Sequence, residues 1–440
     1  MNTRVLKFGG TSMGSPESLN LVADIIESGP DRQTAVVSAT SGTTNQLQEL
    51  AQSTLNGDGE IIMAELIDRH LDLLQELDLD LDLSELFDGI EYVRTRINEA
   101  LELSPEILDL LTGFGERISS RILASLLNER GIRAEMLDAY DFIYTDNNFG
   151  AGNVDFERSN PAIRQRVGEM LDEGVVPIVT GFIGRAENGA YVTLGRGGSD
   201  YSAAIITAAL DAEELQIWTD VDGIYNANPA LIPEARPLES VSFGEAAELG
   251  YFGAKVLHPK TVIPAREKGI PLRVLNTFNP EAPGTLVHDN EKDRNSIKSV
   301  AYKENVTILN ICSARMLNSH GFLARLFEIF ARYEIVVDVV STSEVCVSLT
   351  LCNGIPPGLL EELEEFSNVS VQTDMAILCL VGDGISSNTE VLGRLFSNLS
   401  GHEISMVSQG ASMRNITFIV NGDEVCLIVR KVFNSFFNSI

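Results

Sequence analysis

The stretch LGRGGSDYSAAI, residues 194–205, sets an arginine among three glycines and follows it with Ser-Asp where an apolar, helix-like run begins. Bare glycine backbone, a cation and a helix N-terminus together make an anion site. Arg196 offers a rigid two-pronged donor for a carboxylate, whereas Asp200 suits an ammonium group. A ligand carrying both charges is an amino acid. On these residues alone, an internal Arg196–Asp200 pair bracing the loop is an equal reading.

Three other polar turns follow predicted strands, the last of them running from 218–229 on to 252–261. In KFGGTSMG (7–14), Lys7 beside Gly9-Gly10 can set an ammonium on a phosphate where the backbone approaches closely. A tight turn with a solvent-reaching lysine fits the same residues. The chain has neither GxxxxGK[ST] nor GxGxxG spacing. VSATSGTTN (37–45) reads by itself as an ordinary turn with a helix N-cap. WTDVDGIYNANP (218–229) is not an EF-hand loop, because Gly223 is fourth from Asp220 where such a loop needs glycine sixth. In FGAKVLHPKT (252–261), Lys255 is a second candidate phosphate cation, and His258 before Pro259 reads as a capping or packing residue.

These turns need a scaffold. Predicted strands at 4–8, 34–39, 175–182, 215–221 and 272–276 alternate with helical stretches. One of these, 104–131, opens on Ser-Pro-Glu and stops at a glycine. Alternation of this kind predicts an α/β class with a mainly parallel sheet covered by helices on both faces. The acidic run DLDLDLSELFDGIEY (78–92) reads as a solvated edge of a helical subregion, without chemistry. After a charged, glycine-free linker at 288–299, residues 323–351 align without a gap on 392–420, with seven of 29 positions identical. Each copy reads as helix, strand, turn, strand. Two small, related ferredoxin-like α+β domains are therefore expected after the large one. The expected boundaries are 1–287, 300–370 and 371–440, with strands open to exchange between the last two.

Composition narrows the function. With 63 Asp+Glu against 32 Lys+Arg, the formal charge is −31, which argues against a nucleic-acid partner. No apolar run reaches the 18 residues of a membrane span. The glycine-rich N-terminus does not read as a signal peptide. Cys312, Cys346, Cys352, Cys379 and Cys426 lack CxxC spacing and are odd in number, so free thiols in a cytoplasmic, reducing setting are expected.

Taken in order, KFGGTS, VSATSGTTN, GFGERISS, GFIG…VTLGRGGSDYSA, WTDVDGIY and FGAKVLHP resemble the aspartate kinases of the amino-acid kinase superfamily. The repeat is similar to that family's tandem ACT regulatory domains, and MLNSHGFLARLF with VVDVVSTSEVCVSLTL is closest to the monofunctional, lysine-sensitive type. The resemblance implies ATP-dependent phosphorylation of the β-carboxylate of L-aspartate, with Mg²⁺, as the first step toward lysine, methionine and threonine. It implies no metal held by the protein itself.

Lys7 and Lys255 would flank the transferred phosphoryl group, with Phe8, Gly9 and Gly10 on the nucleotide side. Thr219, Asp220, Tyr225 and Val256 would line the ATP pocket. Thr44, Glu116, Arg196, Gly197, Gly198 and Ser199 would form the aspartate pocket. There Arg196 would hold the α-carboxylate, and Glu116 with Asp200 would face the amino group; Asp200 would also orient Lys7. The turn Asn226–Ala230 departs from the family's Thr-Thr-Asp-Pro-Arg and lacks its phosphate-contacting arginine, which implies either weaker nucleotide binding or substitution by Arg236.

Asp338, among alternating valines, is costly to bury unpaired. An effector's ammonium, expected to be that of L-lysine, would satisfy it. The effector site is expected from Met316, Ser319, Phe322 and Leu323 on one side, and from Val337, Asp338, Thr342, Ser343 and Glu344 on the other. Assembly is expected as a homodimer or higher homo-oligomer through the ACT domains. A glutamate-type kinase and a catalytically silent amino-acid sensor are the competing readings.

Overall fold

The computed structural model describes residues 3–30, 32–252, 257, 259–289, 296–316, 320–352 and 354–438. The chain divides into two units. The first comprises the described residues up to 224, with 239–243 and 257–289; the second comprises 225–238, 244–252 and the described residues from 296 onward.

Runs of valine, isoleucine and leucine bounded by glycine and polar turns form the strands of the first unit. They are β1 (Arg4–Phe8), β2 (Gln33–Val37), β3 (Ala134–Leu137), β4 (Val176–Thr180), the hairpin β5 (Ile183–Arg185) and β6 (Tyr191–Thr193), β7 (Glu214–Thr219), β8 (Ser240–Val241), β9 (Leu272–Asn276) and β10 (Thr285–Val287). Leaving aside the hairpin, they form one sheet in the order β3-β4-β2-β1-β7-β9-β10-β8. Every pair from β3 to β9 is parallel, and only β10 against β9 is antiparallel. The mainly parallel α/β sheet expected from the alternation is present. All five residues of both β2 and β4 are buried, as strands covered on two faces must be.

The helices α1 (Pro16–Glu27), α2 (Thr43–Asn56), α3 (Gly59–Glu76), α4 (Ser84–Ala100), α5 (Pro105–Thr112), α6 (Phe114–Glu129), α7 (Phe156–Asp172) and α8 (Gly198–Ala209) belong to this unit. Leu19, Val22 and Ile26 of α1 and Ile118 and Ile122 of α6 share one core with Leu6 and Phe8 of β1. Before α4 the acidic run is an irregular connection, entered through a turn at Asp78. Asp78, Asp80 and Asp82 face solvent while Leu79 and Leu83 are buried, so its alternation is that of a solvated edge. The stretch 104–131 is not one helix but two, α5 and α6, parted at Gly113. Its start is as expected, with Ser104 capping Ile107 N and Pro105 in the first turn.

The second unit contains α9 (Phe243–Phe252) apart from its first residue. It also contains β11 (Ser299–Cys312), α11 (Phe322–Arg332), β12 (Val337–Thr342), β13 (Cys346–Leu351), α12 (Leu359–Glu364), β14 (Asn368–Val381), α13 (Thr389–Asn398), β15 (Ile404–Gln409), β16 (Asn415–Asn421) and α14 (Gly422–Phe437). A short α10 (Ile263–Glu267) lies in the first unit. The repeat is visible as α11-β12-β13 and α13-β15-β16. Its two halves share a single sheet, β12-β13-β11-β14-β16-β15. The 14-residue strands β11 and β14 pair with each other along their length: Ser299–Lys303 meets Ile377–Val381 in one half, and Ile308–Cys312 meets Asn368–Gln372 in the other.

Free thiols were expected throughout. The structure corrects this at one pair. Antiparallel β11 and β13 set Cys312 opposite Cys346, and their sulfurs are bonded. A cross-strand partner 34 residues away leaves no local spacing in the sequence, which is why the pair is invisible there. Cys352, Cys379 and Cys426 are free.

Candidate active site

In an open parallel sheet, ligands bind beyond the carboxyl ends of the strands. Here the chain leaves β1 at Gly9, β2 at Ser38, β4 at Gly181 and β7 at Asp220. Residues of all four exits except Gly181 line one cavity of about 840 Å³. Lys7, Gly9, Gly10, Thr44, Glu116, Arg196, Gly197, Gly198, Ser199, Asp200, Thr219 and Asp220 all line it, so the structure brings together twelve residues singled out from the sequence.

Lys7 Nζ lies 2.6 Å from Asp200 Oδ1, with the two side chains 12% and 13% exposed. Asp200 therefore pairs with Lys7 and not with Arg196, which stands exposed at the cavity wall. The loop ahead of α8 needs its glycines: Gly195 and Gly197 have φ of +77° and +73°. A Cβ on Gly198 would come within 2.6 Å of the Phe182 ring. Phe182 itself holds φ +71°, an uncommon conformation for a bulky residue, with its N–H donated to Ser202 Oγ at 3.0 Å.

Glu116, in the first turn of α6, is 3% exposed, and its Oε2 has no hydrogen-bond partner. Burial pushes its pKa up to about 8, against the opposing pull of the Ala39 N–H and the Lys7 ammonium. A buried carboxyl left half-satisfied in a cavity is a receptor for a donor from outside. Thr219, at the end of β7, donates its hydroxyl to Asp220 at 3.1 Å.

Phe8 differs from the others. It is fully buried and stacks on Trp218 at 6.2 Å, so its side chain belongs to the floor beneath the site. Tyr225 is the first residue of the second unit. Lys255, Val256 and His258 lie outside the described residues, as does Ser319.

Several lining residues escaped the sequence reading. Asp109, 4% exposed, accepts from Gly150 N at 2.7 Å, Thr193 N at 2.8 Å and Thr193 Oγ1 at 2.8 Å. It thereby ties α5, the 147–151 loop and β6 together at the cavity wall. A lone aspartate on a helix carries no signal for this. Phe182 is the last residue of the predicted strand 175–182, whereas β4 ends at Thr180 and Phe182 lines the cavity.

In the second unit, Asp338 is not left unpaired. Its side chain is 4% exposed; Lys303 Nζ lies 3.5 Å from Oδ1, the Tyr251 hydroxyl donates to Oδ1, and the Cys352 thiol donates to Oδ2. Phe322 packs edge-on against Phe366, Met316 and Val337 lie against the same small core, and Leu323 is 40% exposed. Thr342 ends β12, and Ser343 and Glu344 lie in the exposed turn between β12 and β13.

Residues 2–276 match the model of the amino acid kinase family, and residues 378–436 match an ACT domain. Aspartokinase 1 of Arabidopsis thaliana, a chloroplastic protein, is 39% identical over 99% of this chain and 80% of its own length. The lysine-sensitive aspartokinase 3 of Escherichia coli K12 is 35% identical over 98% of this chain and 99% of its own. The crystal structure of E. coli aspartokinase III with aspartate and ADP superposes with a TM-score of 0.86 at 34% identity, covering 99% of this chain and all of that one. The form of that enzyme with lysine and aspartate gives 0.87. With a family model matched over residues 2–276 and relatives 35–39% identical over nearly the whole chain, the chain belongs to the aspartokinases of the amino acid kinase family.

Proposed function

We propose that the cavity transfers the γ-phosphoryl group of MgATP to the β-carboxylate of L-aspartate, giving 4-phospho-L-aspartate and ADP. One observation supports this above the rest: the Lys7–Asp200 pair, the Arg196 guanidinium and the half-satisfied Glu116 line the same cavity. Arg196 takes the α-carboxylate, with the backbone of Gly197–Ser199 at the start of α8 and Thr44 beside it. Glu116 and Asp200 take the ammonium. Lys7, Gly9 and Gly10 face the phosphates, with Thr219 and Asp220 on the nucleotide side. Lys255, Val256 and Tyr225 keep the nucleotide roles that the family resemblance implies.

The acceptor carboxylate is already ionised at neutral pH. Its oxygen attacks phosphorus as the bond to ADP breaks, and no proton has to be removed. The obstacle is repulsion between two anions, and positioned cations answer it. A unit charge about 4 Å away is worth roughly 4 kcal/mol at an effective dielectric near 20. Mg²⁺ would arrive on the nucleotide's phosphates. Among the described residues no three His, Cys, Asp or Glu side chains form a metal-holding group.

The sheet of the second unit serves as an amino-acid-responsive regulatory module with L-lysine as effector, and pairs copies of the chain into a homodimer or larger homo-oligomer. Exposed Leu323, Phe327 and Val340 on one side of it support that pairing. The division 1–287, 300–370 and 371–440 is retained as the functional one, in the cytoplasm. Among the described residues no helix is long and apolar enough to cross a membrane.

ADP release from MgATP in the presence of L-aspartate or L-glutamate, with the acyl phosphate trapped by hydroxylamine, tests the reading. Turnover specific to L-aspartate supports it; equal turnover of L-glutamate, or none of either, refutes it. L-Lysine at about 10 mM, the weak end of millimolar affinity, should slow the reaction.

A further inference from the structure

The segment Ser38–Thr43, which is the turn after β2 and the first residue of α2, forms one wall of the main cavity through Ser38–Gly42. Helix α6 holds one side of it. Ser119 Oγ donates to Ser38 O at 2.8 Å, the Ala39 N–H is bonded to Glu116, and a Cβ on Gly115 would stand 2.7 Å from that of Ala39. Helix α3 holds the turn from behind with two consecutive residues, Arg69 and His70, neither of which lines the main cavity. They line a separate, smaller cavity of about 260 Å³, which shares Thr40 and Ser41 with the first. The turn is thus a thin partition.

The hydrogen bonds behind the turn run in one direction. His70 is 1% exposed, and its Nδ1 faces the Leu66 carbonyl at 2.7 Å. A carbonyl only accepts, so Nδ1 carries the proton and Nε2 is an acceptor. Burial, reinforced by the neighbouring Arg69 and opposed by the Leu66 carbonyl, pushes this imidazole down to about 4, so it is neutral at physiological pH. Nε2 therefore accepts from Thr40 Oγ1 at 3.0 Å. With that proton committed, Thr40 Oγ1 accepts from Thr43 Oγ1 at 2.5 Å. Thr43 Oγ1 in turn accepts from Arg69 Nη2, and Arg69 Nη1 donates to Ser41 O at 3.1 Å. The chain begins at a group that only donates and ends at a nitrogen that only accepts.

We propose that Arg69 and His70 are positioning residues for the amino-acid substrate, fixing the Ser38–Thr43 wall, and through Ala39 the Glu116 carboxyl, without touching substrate or nucleotide. This rests on the cavity being the aspartate site. Removing the acceptor strands the Thr40 proton and loosens the wall facing aspartate, while the phosphate-facing turn at Gly9–Gly10 keeps its own bond from Gly9 N to Trp218 O.

The test is steady-state kinetics on the full chain as wild type, His70→Leu, His70→Gln and Arg69→Lys, with Tm measured for each. His70→Leu keeps bulk but removes the acceptor. Its KM for L-aspartate should rise about tenfold, the usual effect of stranding one buried polar group, while its KM for MgATP stays within twofold. His70→Gln, whose amide oxygen can accept from Thr40, should return the aspartate KM to within about threefold of wild type. Arg69→Lys, which loses the fork at a half-buried position and covers the case of a His70→Leu chain that fails to fold, should raise the aspartate KM alone by about threefold. An unchanged aspartate KM in the folded variants, or a rise in both KM values together in proportion to lost Tm, overturns the proposal. A wild type inert toward L-aspartate overturns the functional reading and the inference with it, before any variant is compared.

Discussion

Lys7 Nζ and Asp200 Oδ1 are 2.6 Å apart, one at the end of a central strand and the other in the first turn of the helix that closes the cavity. The carboxylate aims the ammonium and offsets its charge. Asp200→Asn keeps the shape and removes the charge that orients Lys7. It should lower kcat/KM for aspartate by roughly 10²-fold, the usual scale for a misplaced electrostatic group. Unaltered kinetics in this variant would show that Lys7 is positioned by something else.

Glu116 binds its proton more tightly folded than unfolded, because burial raises it from 4.5 to about 8. Folding therefore takes up a proton between those values, and stability falls as pH rises through that window. Binding of an ammonium needs the ionised form, so aspartate KM should fall as pH rises from 6 to 8, by up to about tenfold per unit. Glu116→Gln should flatten both the KM slope and this part of the stability slope. Kinetics and thermal melts across that range check the two together; a KM slope that survives in Glu116→Gln excludes Glu116 as its source.

Much of this site was legible because its chemistry is concentrated in turns. LGRGGSD announces a glycine-dependent helix start, and φ of +77° and +73° at Gly195 and Gly197 shows why no other residue serves as well. The predicted strands 4–8 and 272–276 coincide with β1 and β9. Those at 34–39, 175–182 and 215–221 run past the observed ends of β2, β4 and β7. Their overshoot covers Ser38, Ala39, Phe182 and Asp220, residues that leave the sheet to line the cavity. An apolar run does not record where a backbone turns toward a ligand. Asp109 and His70 were missed for another reason: each acts through partners distant in the sequence, so neither has a local pattern. Asp338 was recognised as a costly buried carboxylate, but its partners Tyr251, Lys303 and Cys352 are supplied by three separate segments.

The Cys312–Cys346 bond closes a 34-residue separation across β11 and β13. Cross-links of this kind stabilise by about 2–4 kcal/mol. Peptide mapping without reductant should recover the linked pair, and reductant should lower the melting temperature of the wild type but not of Cys312→Ser. Alkylation of both residues in unreduced protein would contradict the pairing.

Asp338 is held by Lys303, Tyr251 and Cys352, so an effector ammonium must share or displace those partners. Asp338→Asn should raise the half-inhibitory L-lysine concentration roughly tenfold or more, the scale of a lost hydrogen bond to a charged group. An initial-rate titration checks this. Unchanged sensitivity would place the effector elsewhere.

Fixed positive charge that brings two anions together is the centre of the account, and single-turnover phosphoryl transfer in Lys7→Ala measures it most directly. Rapid-quench of enzyme saturated with MgATP and L-aspartate should show the transfer step slowed by about 10²–10³-fold, with the dissociation constant for L-aspartate changed far less. Transfer in Lys7→Ala within about threefold of the wild-type rate would contradict it.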